Sequence, residues 1–431
     1  MNLLEKNRFK KLLFLFLVWP FLSFLTALNS LFSPSSQKII LLFSFMFGYT
    51  VYLYSGDILN YEESFKIVGQ YSWEDYRYLI TNLFSVDKFD KYSPNTVNTQ
   101  PDPFAFTLQF LVSRFTDNPR WFWAIVSTFY TYTVLNLANF VYKENYFQYF
   151  KSSRNTILWL CFFLVIPFYV GVTGVRYWPA LFLFVFFLLN YLKKRTFFTL
   201  LLILIPILIH YSFFAPAAFV IGIKFIPNRL LIHKISVVIS LFFFFTSSFT
   251  TIFSFLNEYL TYVEGSQLEE RLSSYTNEDL LEQRQEKSSG TNWYVSLRGD
   301  LLFYFLIGVN VLNMFSFLKF KETNFTRNFY HFFIFFMCLA LITYNLGSIG
   351  RLKNVFILLA CLRFVSLCYQ NYHNKQFKRV TTLFFFIILF NTIVNFRAGL
   401  YFVDPFLLIH NIFTFLFLES DVSLSELIIG H

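Results

Sequence analysis

The stretch Tyr169–Phe214, YVGVTGVRYWPALFLFVFFLLNYLKKRTFFTLLLILIPILIHYSFF, decides the fold class. One arginine, Arg176, stands at the mouth of an apolar span. A basic triplet, Lys193, Lys194 and Arg195, closes that span, and a second apolar run then carries to His210. Apolar runs of this length, bounded by cations, suit a bilayer, where helices satisfy every backbone polar group internally. A guanidinium at the membrane surface and an imidazole between two apolar half-segments are both costly in hydrocarbon. Each is therefore a candidate functional residue, although an arginine at a helix end also serves by snorkelling alone.

The pattern recurs outward along the chain. Of the 431 residues, 56% are hydrophobic and 14% charged, where a soluble domain carries about a quarter charged. Spans are expected at 12–31, 38–55, 119–142, 155–173, 177–192, 197–225, 233–256, 299–318, 329–346, 352–370, 379–396 and 402–418. The expected fold is an all-α polytopic membrane protein of about 11–13 transmembrane helices, a single integral membrane domain over residues 1–431. An outer-membrane barrel would show alternating segments of roughly ten residues instead. The first apolar run lacks a small-residue cleavage site, so it is expected to be retained. Cys161, Cys338, Cys361 and Cys368 lie in apolar runs without metal-type pairing and read as buried thiols.

The net charge of +10 comes from short clusters between spans. The connectors Lys143–Arg154, Lys193–Arg195, Lys224–Lys234, Lys319–Arg327 and Lys375–Arg379 are placed in the cytoplasm. Two polar stretches without basic excess, 56–118 with an amphipathic helix and 257–298, are placed on the outer face of the membrane. Two parity problems follow. The connectors flanking 197–225 are both basic, so either two half-segments, 197–209 and 211–225, form a broken or re-entrant pair near His210, or one helix kinks at Pro206 and Pro216. The N-terminal cations Lys6, Arg8, Lys10 and Lys11 also belong inside, which two spans later would put 56–102 inside as well unless the segment 104–116 crosses; that segment is short for a span, and the expected arrangement is 56–102 outside with 104–116 as a membrane-dipping helix.

The first loop carries Gly56-Asp57, Tyr61, Trp73, Asp75, Tyr76 and Asp102-Pro103. Acids interleaved with rings suit polyol binding, and one acid could deprotonate an attacking hydroxyl. They also read as solvated loop charges, with Asp57 the best exception because it ends a span. Arg176 follows Gly171-Val-Thr-Gly174-Val, and Arg351 follows Gly347-Ser-Ile-Gly350. Glycine permits close approach, and a guanidinium fork suits diphosphate oxygens. His210 could bond a phosphate, relay a proton, or be a satisfied core imidazole. No nucleotide-binding signature appears and no ligand cluster demands a divalent metal, so no cofactor is expected and a transferred group would arrive already lipid-linked.

At these residues the chain resembles the EpsG family of bacterial exopolysaccharide proteins, related in role to Wzy-type polymerases. The shared features are Gly56-Asp57 with Tyr61, an acid-Pro pair (Asp102-Pro103), Gly174-Val175-Arg176 with Ala180, His210-Tyr211-Ser212, and a late span headed by Arg351. They cover roughly residues 50–370, and their order and spacing carry the likeness. The chain departs from the pattern at Asp102, where glutamate is commoner, and in the polar insertion 257–298. The resemblance implies a glycosyltransferase that polymerises or transfers undecaprenyl-diphosphate-linked repeat units at the outer face. Its substrate would be a membrane lipid carrying a glycan, and other polysaccharide-assembly proteins would be its partners, with no nucleic acid. It implies Asp57, Arg176, His210 and Arg351 as catalytic, and Tyr61, Asp75, Tyr76, Asp102 and Tyr211 as substrate-binding. A flippase for the same lipid-linked glycan and a non-catalytic scaffold are the other classes that fit.

Overall fold

The computed structural model describes residues 3–52, 57–81, 103–143, 174–246, 293–314, 324–344, 352–370, 375–415, 420 and 422–429. Among them all regular structure is helical, with no strand. Three helices, Trp293–Met314, Phe325–Ile342 and Phe377–Phe402, are long and apolar enough to cross a membrane. The expected span 155–173, the loop 257–292, Asp102 and Arg351 lie outside the described residues. The chain divides into two compact units, one of residues 1–186, 206–211 and 392–431, the other of 187–205 and 212–391.

The first unit begins with a hairpin where sequence predicts a single span. α1 (Leu3–Val18) and α2 (Pro20–Leu28) are separate helices. Pro20 has no N–H to donate and disfavours helical backbone at the residue before it, and Trp19 is extended at φ −148°. The chain reverses there: the Ser23 hydroxyl donates to the Leu12 carbonyl at 2.7 Å, a pair that a continuous helix would hold about 16 Å apart. Below the turn, Arg8 bonds Ser30, and the Ser35 hydroxyl donates to the Glu5 carboxylate at 2.7 Å. The N-terminal cations and the start of α3 (Pro34–Tyr49) therefore share one end of the unit. α1 and α2 thus return the chain to the end where α1 began.

α3 starts on a Ser33 cap with Pro34 in its first turn. It pairs antiparallel with α7 (Arg120–Lys143). The register is set by Gln37 and Asn139, which exchange amide bonds at 2.5 and 3.0 Å. Midway, buried Ser44 meets Ser127 at 2.9 Å and Thr131 at 2.6 Å. At Gly48 the backbones touch: an added Cβ would overlap the Trp123 carbonyl and lie 2.7 Å from Ser127 Cβ and 2.8 Å from Ala124 Cα. Small residues give such close helix approach in membranes. α4 (Asp57–Gly69), α5 (Trp73–Thr81) and α6 (Pro103–Ser113) lie between these two helices in the chain and gather at their Tyr49–Trp123 end, opposite the N-terminal cations.

α8 (Tyr177–Lys194) begins in this unit and meets α7 through Tyr130–Phe182 and Phe140–Phe186 ring contacts, so the two run parallel. It ends at Arg195, whose φ of 52° is left-handed and stops the helix. The stretch 197–225 is interrupted as expected around Pro206–His210, rather than forming one kinked helix. α9 (Phe197–Leu202), α10 (Ile205–Ile209), a 3₁₀ turn over Tyr211–Phe213 and α11 (Phe214–Ile223) follow in turn. Each break falls just ahead of a proline, Pro206 or Pro216, which cannot complete the helical ladder.

Over its described residues, up to 415, the expected last span 402–418 is not a continuous helix: two 3₁₀ turns, Leu400–Phe402 and Pro405–Leu408, are followed by irregular chain. Asp404 caps the second turn by accepting from the Phe406 N–H at 2.8 Å.

In the second unit, α12 (Leu230–Thr246) runs parallel to α14 (Asn324–Ile342), with His233 against His331 near their starts and Phe244 against Tyr344 at their ends. α13 (Trp293–Met314) runs parallel to α15 (Leu352–Gln370), pairing Asp300 with Lys353 and Phe305 with Phe364. α16 (Lys375–Gly399) adds Phe384, 4.3 Å from Phe364 between ring centroids.

Candidate functional site

The candidate site lies at the Tyr49–Trp123 end of the first unit. Gln109, 2% exposed on α6, donates to the Tyr61 carbonyl at 2.9 Å and accepts from Ser64 at 3.1 Å, which locks α4 onto α6. Tyr61 thereby lies on Trp123, its ring edge-on at 5.9 Å, and beside Phe122 at 6.3 Å. The Arg176 guanidinium carbon stands 5.7 Å from the Tyr61 ring centre, within the range where a ring face attracts a cation. Arg176 sits just ahead of α8, where the positive end of the helix dipole adds to its own charge. Next to it, Tyr177 meets the His210 ring edge-on at 5.7 Å. His210 is held at the break, its N–H bonded to the Pro206 carbonyl at 2.9 Å. Of the predicted residues, Tyr61 thus meets Arg176, while His210 meets Tyr177, the next residue after Arg176, with Tyr211 following His210 in the chain.

Other predicted residues have different settings. Asp57 is the first residue of α4, one turn ahead of Tyr61. Asp75 closes a capping box: it accepts from the Ser72 N–H at 2.8 Å and hydroxyl at 2.7 Å, and its own N–H returns to Ser72 Oγ at 3.1 Å. Those bonds hold its carboxyl below the usual aspartate range. Tyr76 stacks on Phe110 at 4.4 Å and on Phe106 at 5.6 Å, with its hydroxyl 3.1 Å from Thr107. Arg114 fastens this group by donating to the carbonyls of Gly69 at 2.6 Å and Tyr71 at 2.9 Å.

Further polar groups were not singled out from the sequence. At the Tyr52 edge of the unit, buried Asp404 accepts from the Ser420 N–H at 3.3 Å besides its cap bond. Burial raises its carboxyl, partly offset by those two N–H groups and by the charges of His410 and Arg120. Its sequence signal was an acid-Pro pair like Asp102-Pro103. In the second unit, Asp300, Tyr344 and Lys353 form a bonded cluster. Lys353 lies two residues past Arg351, and Asp300 is a single acid inside an apolar run, so neither stood out. Among the described residues no group of three or more His, Cys, Asp or Glu side chains could hold a metal.

A ring-backed guanidinium, an imidazole and the positive end of a helix can together hold an anionic headgroup beside an apolar phase. A family model described as the EpsG family matches residues 38–406. No curated protein and no solved structure matches the chain.

Proposed function

This chain belongs to the EpsG family, and on that premise we propose that it polymerises or transfers lipid-linked glycan units at the outer face of a bacterial cytoplasmic membrane. The family and the apolar helices make it a membrane protein of exopolysaccharide biosynthesis. The observation that carries the finer reading is the contact of Arg176 with Tyr61, and of the adjoining Tyr177 with His210, at the end of the unit away from the N-terminal cations. Positive residues stay on the cytoplasmic side, so that end faces outward. The broken stretch 197–225 is a re-entrant pair in this reading, its irregular backbone at His210 covered by protein.

An acceptor sugar hydroxyl attacks the anomeric carbon of the carrier-linked sugar. A new C–O bond forms, the bond to the diphosphate breaks, and the diphosphate leaves on its lipid. Arg176, with Arg351 as its proposed second arm, stabilises the charge that gathers on the leaving oxygens. Asp57 takes the hydroxyl proton, with Asp75 or Asp102 as less favoured bases, because Asp75 is already engaged as a helix cap. His210 orients or protonates the diphosphate, while Tyr61, Tyr76 and Tyr211 line the glycan path. No nucleotide enters the proposed reaction.

Arg176→Ala should lower polymer formation by about a hundredfold or more, as expected for losing one preorganised donor, with the protein still folded in the membrane. Arg176→Lys should restore only part, since an ammonium lacks the fork. Unchanged polymer amount and length in Arg176→Ala would overturn the assignment. The break at His210 also favours a flippase reading, because discontinuous helices mark transporter sites. Liposomes carrying purified protein separate the two: a polymerase lengthens glycans on one face, whereas a flippase moves them unchanged between faces.

A further inference from the structure

The second unit gathers polar groups at one end, opposite the basic residues at the starts of α12 and α14. The His233–His331 contact lies near the starts of α12 and α14, close in sequence to Arg229, Lys234 and Arg327. The other end holds Phe244, Asp300, Phe303, Tyr304, Tyr344 and Lys353. There Tyr304 donates to the Tyr344 hydroxyl at 3.1 Å, and Tyr344 donates to Asp300 Oδ1 at 2.8 Å. Lys353 donates to the same oxygen at 2.7 Å. The ammonium also lies 4.8 Å from the Tyr344 ring centre and 5.2 Å from that of Phe303.

The bonds run one way and leave a defined set of open valences. Both donors to Asp300 use Oδ1, so Oδ2 can still accept. The Tyr304 oxygen gives its proton to Tyr344 and keeps lone pairs to accept with. Lys353 keeps two N–H groups. These groups are within reach, with side-chain exposures of 36% for Asp300 and 20% for Lys353, and Tyr304 46% exposed. Phe244 lies 5.2 Å from Tyr344 and 6.2 Å from Tyr304 between ring centroids, so rings flank the polar core.

We infer that this cluster is a saccharide-binding subsite that takes neighbouring glycan hydroxyls on Asp300, Tyr304 and Lys353, with the exposed Tyr304 ring against an apolar sugar face. The inference rests on the reading of the protein as one that acts on a glycan. The charge balance selects the ligand class. An anion such as a diphosphate would approach Lys353 only alongside the Asp300 carboxylate, whose charge cancels the attraction. A diol both donates and accepts, so it uses carboxylate and ammonium together. By the positive-inside rule the cluster faces outward, where the polymer is made.

The test uses the full chain in lipid nanodiscs and two probes. One is oligosaccharides released by partial acid hydrolysis from the polymer of the expressing cells, followed by saturation-transfer NMR. The other is inorganic diphosphate, followed by phosphorus line broadening. The wild-type protein should bind both. Asp300→Asn and Tyr304→Phe should each weaken oligosaccharide binding by about tenfold, and Tyr304→Phe, which keeps the Asp300–Lys353 pair, should leave diphosphate binding as in wild type. Arg176→Ala should do the reverse. Tyr304→Phe removes only an exposed hydroxyl, so it reports even if Asp300→Asn fails to fold. Oligosaccharide binding unaltered in Tyr304→Phe and in folded Asp300→Asn, or wild-type binding of diphosphate alone, would overturn the subsite and leave an aromatic anchor at the membrane surface. Diphosphate binding unaltered in Arg176→Ala, with oligosaccharide binding still lost in Tyr304→Phe, would overturn the headgroup reading and support the subsite.

Discussion

Gly48→Ala should damage this protein far more than a single methyl group ordinarily does. The new Cβ would overlap the Trp123 carbonyl and stand 2.7 Å from Ser127 Cβ, whereas carbon atoms rest about 3.5–4.0 Å apart. α3 and α7 must therefore separate by about 1 Å. That displacement would stretch the Ser44 bonds to Ser127 and Thr131, now 2.9 and 2.6 Å, past hydrogen-bond range. Interhelical hydrogen bonds in membranes contribute about 0.6 kcal/mol each, up to about 1.7, and overpacking adds about 1–3 kcal/mol. The expected loss is about 2–6 kcal/mol of unfolding free energy, read by titrating the purified protein with a denaturing detergent. Gly222→Ala and Gly308→Ala are the internal controls, because a Cβ at either position meets nothing within 4 Å. Both should remain near wild type. Ser44→Ala made on top of Gly48→Ala should cost little more, because its bonds are already broken. Trp123 also supports Tyr61, so the glycan-transfer activity proposed above should fall in Gly48→Ala at temperatures where the protein stays folded. A Gly48→Ala protein within about 0.5 kcal/mol of wild type would refute the close helix contact.

Three further outcomes follow from other contacts. Arg114→Met leaves the carbonyls of Gly69 and Tyr71 without their charged donor. It should destabilise the α4–α6 group by about 1.5–3 kcal/mol, seen as faster protease cleavage near residue 70; unchanged cleavage would refute the role. His233→Ala removes the partner held 2.8 Å from His331 and should cost about 1–3 kcal/mol in the same detergent titration, an effect that vanishes if the contact is absent. The Asp75 cap follows pH with a definite sign. Its carboxyl is depressed by the Ser72 bonds, so the cap's contribution is present above the ordinary aspartate pKa and disappears as pH falls through the lower folded value. Amide exchange at residues 73–76 should quicken in that acidic window and be insensitive to it in Asp75→Asn.

Some residues announced their roles and some did not. Pro206, Pro216 and the basic connectors marked the break at His210, because a proline cannot complete a helical ladder wherever the rest of the chain lies. Ser72-x-x-Asp75 is a capping signature, and the loop's sugar-like composition obscured it. Trp19-Pro20 could have been a kink or a reversal; Ser23 reaching back to Leu12 distinguishes them. Asp300 and Lys353 are 53 positions apart, and no local pattern joins them.

Hydropathy and charge spacing alone determined that this is a helical membrane protein, since the cost of bare backbone in hydrocarbon depends on local composition. Motif order alone pointed to its family. The tertiary structure decided which polar side chains meet: Tyr61 with Arg176, Tyr177 with His210, Asp300 with Tyr344 and Lys353. Those pairings depend on helix register and on close approaches such as Gly48 against Trp123, which are properties of two packed surfaces rather than of either sequence segment.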